Sequence, residues 1–410
     1  MRIAMISSTD AYWTPLYALH FLAEGHDVRV LSMTPEPLAD SRIDLVTICS
    51  ARPARVPLAT WFLAQVPAVR RALRSYAPDV VFATYMSSNG TVAALAWNGP
   101  LVVSGHGGDV LQQLGRVPGG PWLHRQLMRF QSRRSHAVHV VADELVESLT
   151  AYGIPSDQII CFPLGVEVER FALANHAPRD AVPHIVCTRR QEPVYANHVL
   201  VEALAILRDR GHAFRCTFVG GGPLLDERRT QVRTHGLEGC VAFTGKIDAD
   251  QVGALLRTAH IYVSASTTDG TSSSLLEAML CGAFPVVSRI RGNAPWVEDG
   301  ITGLLFDVGD AGALAAALER AVRHPELREA SIAHNRALVE QHGNLRLNML
   351  RTLELLEGAA TRRTRPCAQG RISSSSTSKY GAVGSGAILP HPGTALGALA
   401  RIGRSTAAPE

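Results

Sequence analysis

Two series of alternating apolar runs and amphipathic stretches constrain the fold of this chain more than any other feature. In the first series, runs such as RIAMIS at residues 2–7 and LVVSGH at residues 101–106 have the length and apolar content of buried strands. The stretches between them show helical spacing and carry Gly or Pro at their ends. This alternation predicts a parallel sheet with helices on both faces.

The pattern begins again after a break at residues 175–183, which contain two prolines and no apolar periodicity. A chain of 410 residues is too long for one compact core, so two domains are expected on length alone. We therefore predict an α/β protein with two doubly wound, Rossmann-like domains, residues 1–174 and residues 182–340. Because ligands of such sheets bind at the carboxyl ends of the strands, the two domains should face each other across a cleft.

The C-terminal part of the chain has a different character. Residues 341–357 are predicted to form a helix that packs back on the N-terminal domain. Residues 359–410 are rich in Ser, Gly, Ala and Pro, which bury too little apolar surface to offset the entropy of ordering, so we expect a disordered basic tail. The formal net charge is +4, and the tail holds seven basic residues against one acid. The rest of the chain has no basic excess, which argues against a nucleic-acid partner.

The cysteines and acids give little sign of a metal site. The seven cysteines are scattered without a C-x-x-C pair, which is typical of a reducing compartment. Asp248-Ala-Asp250 has the D-x-D spacing of a metal site, but it opens a predicted helix, where acids are common in the first turn. No apolar run is long enough to cross a membrane, and the N-terminus does not resemble a signal peptide. We expect a cytoplasmic protein with no bound metal and no cofactor.

The segment DGTSSSLLE at residues 269–277 is the strongest candidate for a binding site. A glycine and four hydroxyl residues precede a predicted helix, whose unpaired N–H groups and positive dipole end favour an anion such as a diphosphate. The predicted donors to that diphosphate are the backbone and side chains of Gly270, Thr271, Ser272 and Ser273.

Two carboxylates flank this helix start, and each has two interpretations. Glu277 lies inside an apolar run, where its carboxylate could accept hydrogen bonds from a ribose diol, and Asp269 could accept hydrogen bonds from sugar hydroxyls beyond the diphosphate. Alternatively, Asp269 only caps the helix and Glu277 only balances its dipole. The spacing of the two acids around the hydroxyl run favours the first interpretation, in which a nucleotide-sugar contacts all three features.

The same segment resembles the acid-x7-acid signature of the family 4 retaining glycosyltransferases. SGHGGDV at residues 104–110, FVGGGPLLDE at 218–227 and VAFTGKID at 241–248 resemble further motifs of that family, and the resemblance extends over residues 1–357. It implies the two-domain GT-B fold and transfer of a sugar from a nucleotide-diphosphate sugar to a hydroxyl acceptor, with retention of anomeric configuration and without a metal. Asp269 stands where the family usually has Glu.

The resemblance also assigns roles to His106 and Arg190, and a departure from the family pattern suggests a role for Lys246. His106, in a glycine-rich loop after a predicted strand, is expected to reach the donor sugar across the cleft; the alternative is a turn with a solvent-facing histidine. Arg190 matches the arginine of the family's G-R-x4-K-G segment and is expected to contact the diphosphate, whereas Tyr195 stands at the lysine position. Lys246 is expected to supply part of the missing charge. Asp269 and His106 are the candidate catalytic residues.

Two stretches without acids, residues 52–74 and 115–134, each hold five arginines together with aromatic residues. They are either ordinary amphipathic helices with arginines in solvent or basic faces that contact an anionic membrane, which would suit a lipid-linked acceptor. Two alternative functions also stay open. One is a nucleotide-sugar 2-epimerase on the same fold, and the other is a non-catalytic relative that binds a nucleotide-sugar.

Overall fold

The computed structural model describes residues 1–34, 36–48, 58–111, 120–172 and 180–361. Most of the break predicted at residues 175–183, parts of both arginine-rich stretches, and the tail from residue 362 onward lie outside the described residues.

The N-terminal domain is built on a seven-stranded parallel sheet with the order β3-β2-β1-β4-β5-β6-β7. The central strands β4 and β5 are buried at every position because helices cover both faces of the sheet. The strands are β1 Arg2–Ile6, β2 Asp27–Ser32, β3 Asp44–Thr47, β4 Val80–Thr84, β5 Leu101–Gly105, β6 Ala137–Val140 and β7 Ile159–Cys161. The helices are α1 Trp13–Ala23, α2 Leu58–Ala64, α3 Val66–Tyr76, α4 Thr91–Ala96, α5 Gly120–Arg134, α6 Asp143–Ala151 and α7 Val168–Phe171.

The C-terminal domain repeats this plan with a six-stranded parallel sheet in the order β10-β9-β8-β11-β12-β13. Its strands are β8 His184–Cys187, β9 Arg215–Val219, β10 Val241–Gly245, β11 Ile261–Ser264, β12 Phe284–Ser288 and β13 Leu304–Phe306. Its helices are α8 Asn197–Asp209, α9 Leu225–Thr234, α10 Ala249–Thr258, α11 Ser273–Leu280, α12 Ala311–Arg323 and α13 Pro325–His342. The prediction of two doubly wound, Rossmann-like domains is confirmed.

The last described helix, α14 Leu345–Thr361, returns to the first sheet. Its buried face, which includes Met349, Leu353 and Leu356, belongs to the same hydrophobic cluster as Ile3 and Phe82. The sequence placed a helix at residues 341–357. The structure instead ends α13 at His342, crosses a short link that pairs with Val166, and carries α14 on to Thr361.

Candidate active site

A cavity of about 150 Å³ lies between the two domains, near the carboxyl ends of both sheets. The N-terminal domain contributes aromatic and apolar side chains from the loops after β1, β5, β6 and β7. The C-terminal domain contributes the loop that precedes α11 and the first turns of that helix. The polar and aromatic residues that line the cavity are Tyr12, Trp13 and His106 on one side and Asp269, Thr271 and Ser273 on the other.

The predicted diphosphate site divides into cavity-lining and structural residues. Gly270, Thr271 and Ser273 line the cavity at the start of α11. Ser272 is the N-cap of that helix, is only 4% exposed, and accepts the backbone N–H of Leu275 at 3.4 Å. The side chain of Ser272 therefore stabilises the helix start, whereas the neighbouring residues Thr271 and Ser273 line the cavity.

The arginine that contacts the first acid is Arg189. Its guanidinium is buried, donates from Nη1 to Ser272 Oγ at 2.8 Å and from Nη2 to the carboxylate of Asp269, and lies over the ring of Tyr195 at 4.2 Å. A cation held over an aromatic face and bonded on its edge has little freedom to move. Tyr195, at the position where the family has lysine, thus holds an arginine in place.

The two cations proposed from the sequence lie outside this cluster. The side chain of Arg190 is 67% exposed and pairs with Glu192 at 2.8 Å, and Lys246 is exposed just after β10. Contact of either residue with a diphosphate stays a prediction. Two consecutive arginines, Arg189 and Arg190, follow β8. The sequence does not show which of the two side chains is buried beside Asp269, because that depends on the conformation of the loop.

A glycine that the sequence analysis did not single out shapes the loop of Asp269. A Cβ added at Gly292 would lie 2.0 Å from the carbonyl oxygen of Gly270 and 2.5 Å from that of Asp269. Both atoms belong to backbone, so no side chain can move aside to relieve the clash. Gly292 therefore allows the loop after β12 to support the loop that carries Asp269.

Glu277 lies in the middle of α11, partly buried and next to the cavity-lining residue Leu276. Burial raises the pKa of its carboxyl group to about 7; Arg189 opposes that rise and the nearby carboxylate of Glu167 adds to it. A carboxyl group with this pKa is partly protonated near neutral pH. It is an available hydrogen-bond partner for hydroxyl groups in both protonation states.

His106 occupies the opposite wall, at the end of β5. Asp109 is buried and accepts the backbone N–H groups of His106 and Gly107, both at 2.9 Å, which fixes the loop. The imidazole stacks on Trp13 with ring centres 4.4 Å apart, and Tyr85 lies at 6.0 Å. Burial, and then the nearby His139, lowers the pKa of His106 to about 3, so the ring is neutral at physiological pH.

Contacts between described residues of the two domains lie around the cavity. Thr271 donates from Oγ1 to the carbonyl oxygen of Val141 at 3.0 Å, and Arg291 pairs with Glu147 of the N-terminal domain. The first contact lies at the cavity itself. Both domains therefore contribute directly to the surroundings of the helix start.

The triplet Asp248-Ala-Asp250 has a structural explanation. Asp248 caps α10, accepting the backbone N–H of Gln251 at 2.8 Å in a capping box. Across the described residues, no group of three or more His, Cys, Asp or Glu side chains is placed to hold a metal ion. Within the same part of the chain, no helix is long and apolar enough to cross a membrane.

Two Rossmann-like domains that face each other across a cavity are the architecture of the GT-B class of proteins. Comparison with known families agrees with this class. Residues 17–170 match the family described as Glycosyltransferase Family 4, and residues 170–337 match Glycosyl transferases group 1. The chain belongs to the family 4 glycosyltransferases of GT-B fold.

Individual relatives are similar over different lengths. The chain is 30% identical over 219 residues to the amylovoran biosynthesis glycosyltransferase AmsK of Erwinia amylovora, which covers 52% of this chain and 54% of the relative. It is 28% identical over 333 residues to a glycogen synthase of Mycobacterium tuberculosis, and this match covers 74% of this chain and 80% of the relative. The match thus spans about half the length of the first relative.

Solved structures show the same fold at low sequence identity. Sucrose-phosphate synthase from Thermosynechococcus elongatus has a TM-score of 0.72 at 19% identity, with 88% of this chain and all of that chain covered. Anabaena Alr3699/HepE, solved in complex with UDP, has a TM-score of 0.71 at 17% identity, covering 87% of this chain and 100% of its own.

Proposed function

We propose that this protein transfers a sugar from a nucleotide-diphosphate sugar to a hydroxyl acceptor, with retention of anomeric configuration. One observation carries the proposal: the start of α11 and Asp269 face His106 across a cavity between the two domains. A helix start supplies N–H donors and a positive dipole end to a diphosphate, and a carboxylate and an imidazole are suited to hydroxyl groups. The site thus offers separate partners to the two parts of such a donor.

In this proposal, the diphosphate binds at Gly270, Thr271 and Ser273, with Arg189 behind them. Asp269 accepts hydrogen bonds from hydroxyl groups of the transferred sugar, and Glu277 accepts from the ribose diol further along α11. Arg190 and Lys246 add charge if their exposed side chains turn toward the ligand. Rate enhancement comes from holding the reactants in position and from stabilising the leaving diphosphate.

No side chain in the cavity is assigned as a covalent nucleophile. The leaving phosphate itself assists the removal of the proton from the acceptor hydroxyl, while the helix start spreads its negative charge. The donor side of the cavity belongs to the C-terminal domain, so the acceptor enters beside Tyr12 and Trp13 of the N-terminal domain. The acceptor is a glycan, a lipid-linked glycan or a small molecule with a free hydroxyl group.

Contact with a membrane surface is a further part of this proposal. Trp122 on the arginine-rich helix α5 is 68% exposed and Leu63 on α2 is 48% exposed, whereas Trp61 is buried. Two of these apolar groups are thus accessible, and basic surfaces with exposed aromatics bind anionic bilayers. Flotation with anionic vesicles at low salt tests the contact, which is rejected if the protein stays in the soluble fraction.

A screen of nucleotide-sugars tests the main proposal. A ligand that binds only the folded state raises the melting temperature, so the donor that the protein binds is found as the nucleotide-sugar that causes a thermal shift. The donor that stabilises the protein is then incubated with candidate acceptors, and the anomeric configuration of the product is determined by NMR. Asp269→Asn should retain the thermal shift caused by the nucleotide and lose turnover. No thermal shift with any donor would count against the proposal.

The two alternatives make different predictions in the same assay. A 2-epimerase converts the donor without any acceptor and moves a proton at carbon 2, so it incorporates deuterium from heavy water at that carbon. A non-catalytic relative shows a thermal shift but neither transfer nor slow donor hydrolysis. Transfer that depends on an acceptor, without deuterium incorporation, supports the glycosyltransferase.

A further inference from the structure

Two buried polar side chains lie beneath His106 and connect it to the backbone. Ser104 on β5 and His139 on β6 are aligned across the parallel pair, and both are fully buried. Ser104 Oγ is 3.1 Å from Nε2 of His106 and 2.8 Å from Nδ1 of His139. His139 Nε2 is 3.0 Å from the carbonyl oxygen of Phe162. These four groups form one continuous chain of hydrogen bonds.

The carbonyl group fixes the direction of the last bond in this chain, and the neutral state of His139 then fixes the direction of the other two. A carbonyl oxygen only accepts hydrogen bonds, so Nε2 of His139 carries a proton and donates a hydrogen bond to the carbonyl oxygen of Phe162. Burial lowers the pKa of His139 to about 4, which makes the ring neutral and leaves its Nδ1 without a proton. Nδ1 therefore accepts the only hydroxyl proton of Ser104.

The direction of the bond between Ser104 and His106, the residue at the cavity, follows from this. Since the proton of Ser104 is directed to His139, Ser104 Oγ can only accept from His106, and Nε2 of His106 must donate. A neutral imidazole has one N–H group, so Nδ1 of His106 has a free lone pair. That nitrogen points away from Ser104 and makes no hydrogen bond with any side chain or backbone group that the structure describes.

We propose that Ser104 and His139 are positioning residues that hold His106 in the neutral form with its proton on Nε2. The cavity then presents a hydrogen-bond acceptor, Nδ1, and its partner is a hydroxyl group of the bound sugar. His106 in this state cannot donate a proton or a hydrogen bond from Nδ1. The assignment of the hydroxyl partner rests on the proposed function, whereas the position of the proton does not.

A purely structural role would also explain buried polar side chains with satisfied hydrogen bonds, because such groups are costly to leave unpaired. The two roles differ in what happens to His106. A structural role predicts that changes at Ser104 alter stability alone. A positioning role predicts that they alter the proton distribution on the His106 ring, which is measurable without any substrate.

The experiment uses the full chain labelled with ¹⁵N-histidine and a two-bond proton–nitrogen correlation spectrum near neutral pH. The signals of His106 are identified by their absence in His106→Gln. The wild type should show a neutral ring with the proton on Nε2 alone. A proton on Nδ1, or a rapidly averaged mixture of the two forms, would overturn the proposal without recourse to any variant.

Two pairs of variants then test the connection. Ser104→Ala removes the hydroxyl group, and Ser104→Thr retains it. His139→Leu removes both ring nitrogens, and His139→Gln replaces them with one hydrogen-bond donor and one acceptor. Ser104→Ala and His139→Leu should give a mixture of protonation forms at His106, whereas Ser104→Thr and His139→Gln should resemble the wild type. An unchanged His106 spectrum in folded Ser104→Ala contradicts the proposal.

Turnover provides a separate readout. Loss of one oriented hydrogen bond corresponds to on the order of a tenfold decrease in kcat for Ser104→Ala, with little change in KM for the donor, and Ser104→Thr should recover most of it. If the wild type transfers no sugar, the proposed function fails while the NMR result still decides the position of the proton. If transfer occurs but the proton lies on Nδ1, only the present inference fails.

Discussion

The guanidinium group of Arg189 donates a hydrogen bond to the carboxylate of Asp269 at the edge of the interdomain cavity. The arginine is buried and fixed by Tyr195 and Ser272, so it determines where the carboxylate lies. Its Nε is buried without a hydrogen-bond partner among the described residues. The pair therefore consists of a carboxylate held in position and a guanidinium group whose Nε–H can still donate a hydrogen bond.

Replacing Arg189 should impair the enzyme more than replacing its neighbour. Arg189→Gln removes the charge that orients Asp269 and that, in the proposed function, stabilises the diphosphate. Turnover should fall on the order of a hundredfold, as expected for a charge-assisted contact of about 2–3 kcal/mol. Arg190→Gln is the matched control, because that side chain is exposed and paired with Glu192. Steady-state rates for both variants decide the question. A larger loss in Arg190→Gln would favour the arginine proposed from the sequence.

Gly292→Ala should displace the loop that carries Asp269. The new methyl group would lie within 2.0 Å of the carbonyl oxygen of Gly270, so the segment that carries Asp269 must shift. A misplaced carboxylate should lower kcat by at least tenfold, because rates depend steeply on the orientation of reacting groups. Gly239→Ala is the control, since nothing lies within 4 Å of a Cβ at that position. Equal rates in the two variants would show that the close approach has no catalytic importance.

The raised pKa of Glu277 should make the stability of the protein depend on pH. Its carboxyl group has a pKa of about 7 in the folded protein, against an ordinary value of 4.5 for a solvent-exposed glutamate, which describes the unfolded chain. Between these values the unfolded chain has released the proton and the folded chain still holds it, so stability decreases as pH rises. Below 4.5 the group has no effect, and above about 7 the loss is constant.

Chemical unfolding of the wild type and of Glu277→Gln over this range measures the effect. The variant should gain stability relative to the wild type as pH rises, with a final difference on the order of 2 kcal/mol, since partial exposure reduces the full value of the shift. A difference in unfolding free energy that stays constant across the range would contradict the raised pKa.

The sequence predicted the sheets well where strands are long and buried on both faces. It did not identify β3 Asp44–Thr47, β7 Ile159–Cys161 and β13 Leu304–Phe306. All three are edge strands of three or four residues. The strands Ile159–Cys161 and Leu304–Phe306 are apolar throughout, but a run of three residues is too short to be recognised as a strand from the sequence. The start of α10, where acids open the helix, was readable from local residues. The cap of α11 was assigned wrongly, because its N-cap is Ser272 and not Asp269.

The candidate site was predictable to the extent that it depends on one contiguous segment. Asp269, Gly270, Thr271 and Ser273 lie together at the cavity because a single loop and helix start carry them. The inward turn of Arg189 was not predictable, since it depends on Tyr195 and on a loop far away in sequence. The roles of Gly292 and of Ser104 also depend on contacts between separate elements.

The proposed contact between Glu277 and the ribose of the donor can be tested directly by measuring ligand affinity. Calorimetry compares the binding of uridine or guanosine diphosphate, whichever stabilises the protein, with that of its 2′,3′-dideoxy analogue. The same pair is titrated into Glu277→Met, which keeps the length of the side chain and removes the acceptor oxygens.

The wild type should bind the dideoxy analogue about tenfold more weakly, corresponding to one hydrogen-bonded group, and Glu277→Met should bind both ligands with similar affinity. An equal loss of affinity for the analogue in both proteins, or no loss in the wild type, would contradict the placement of the nucleotide along α11.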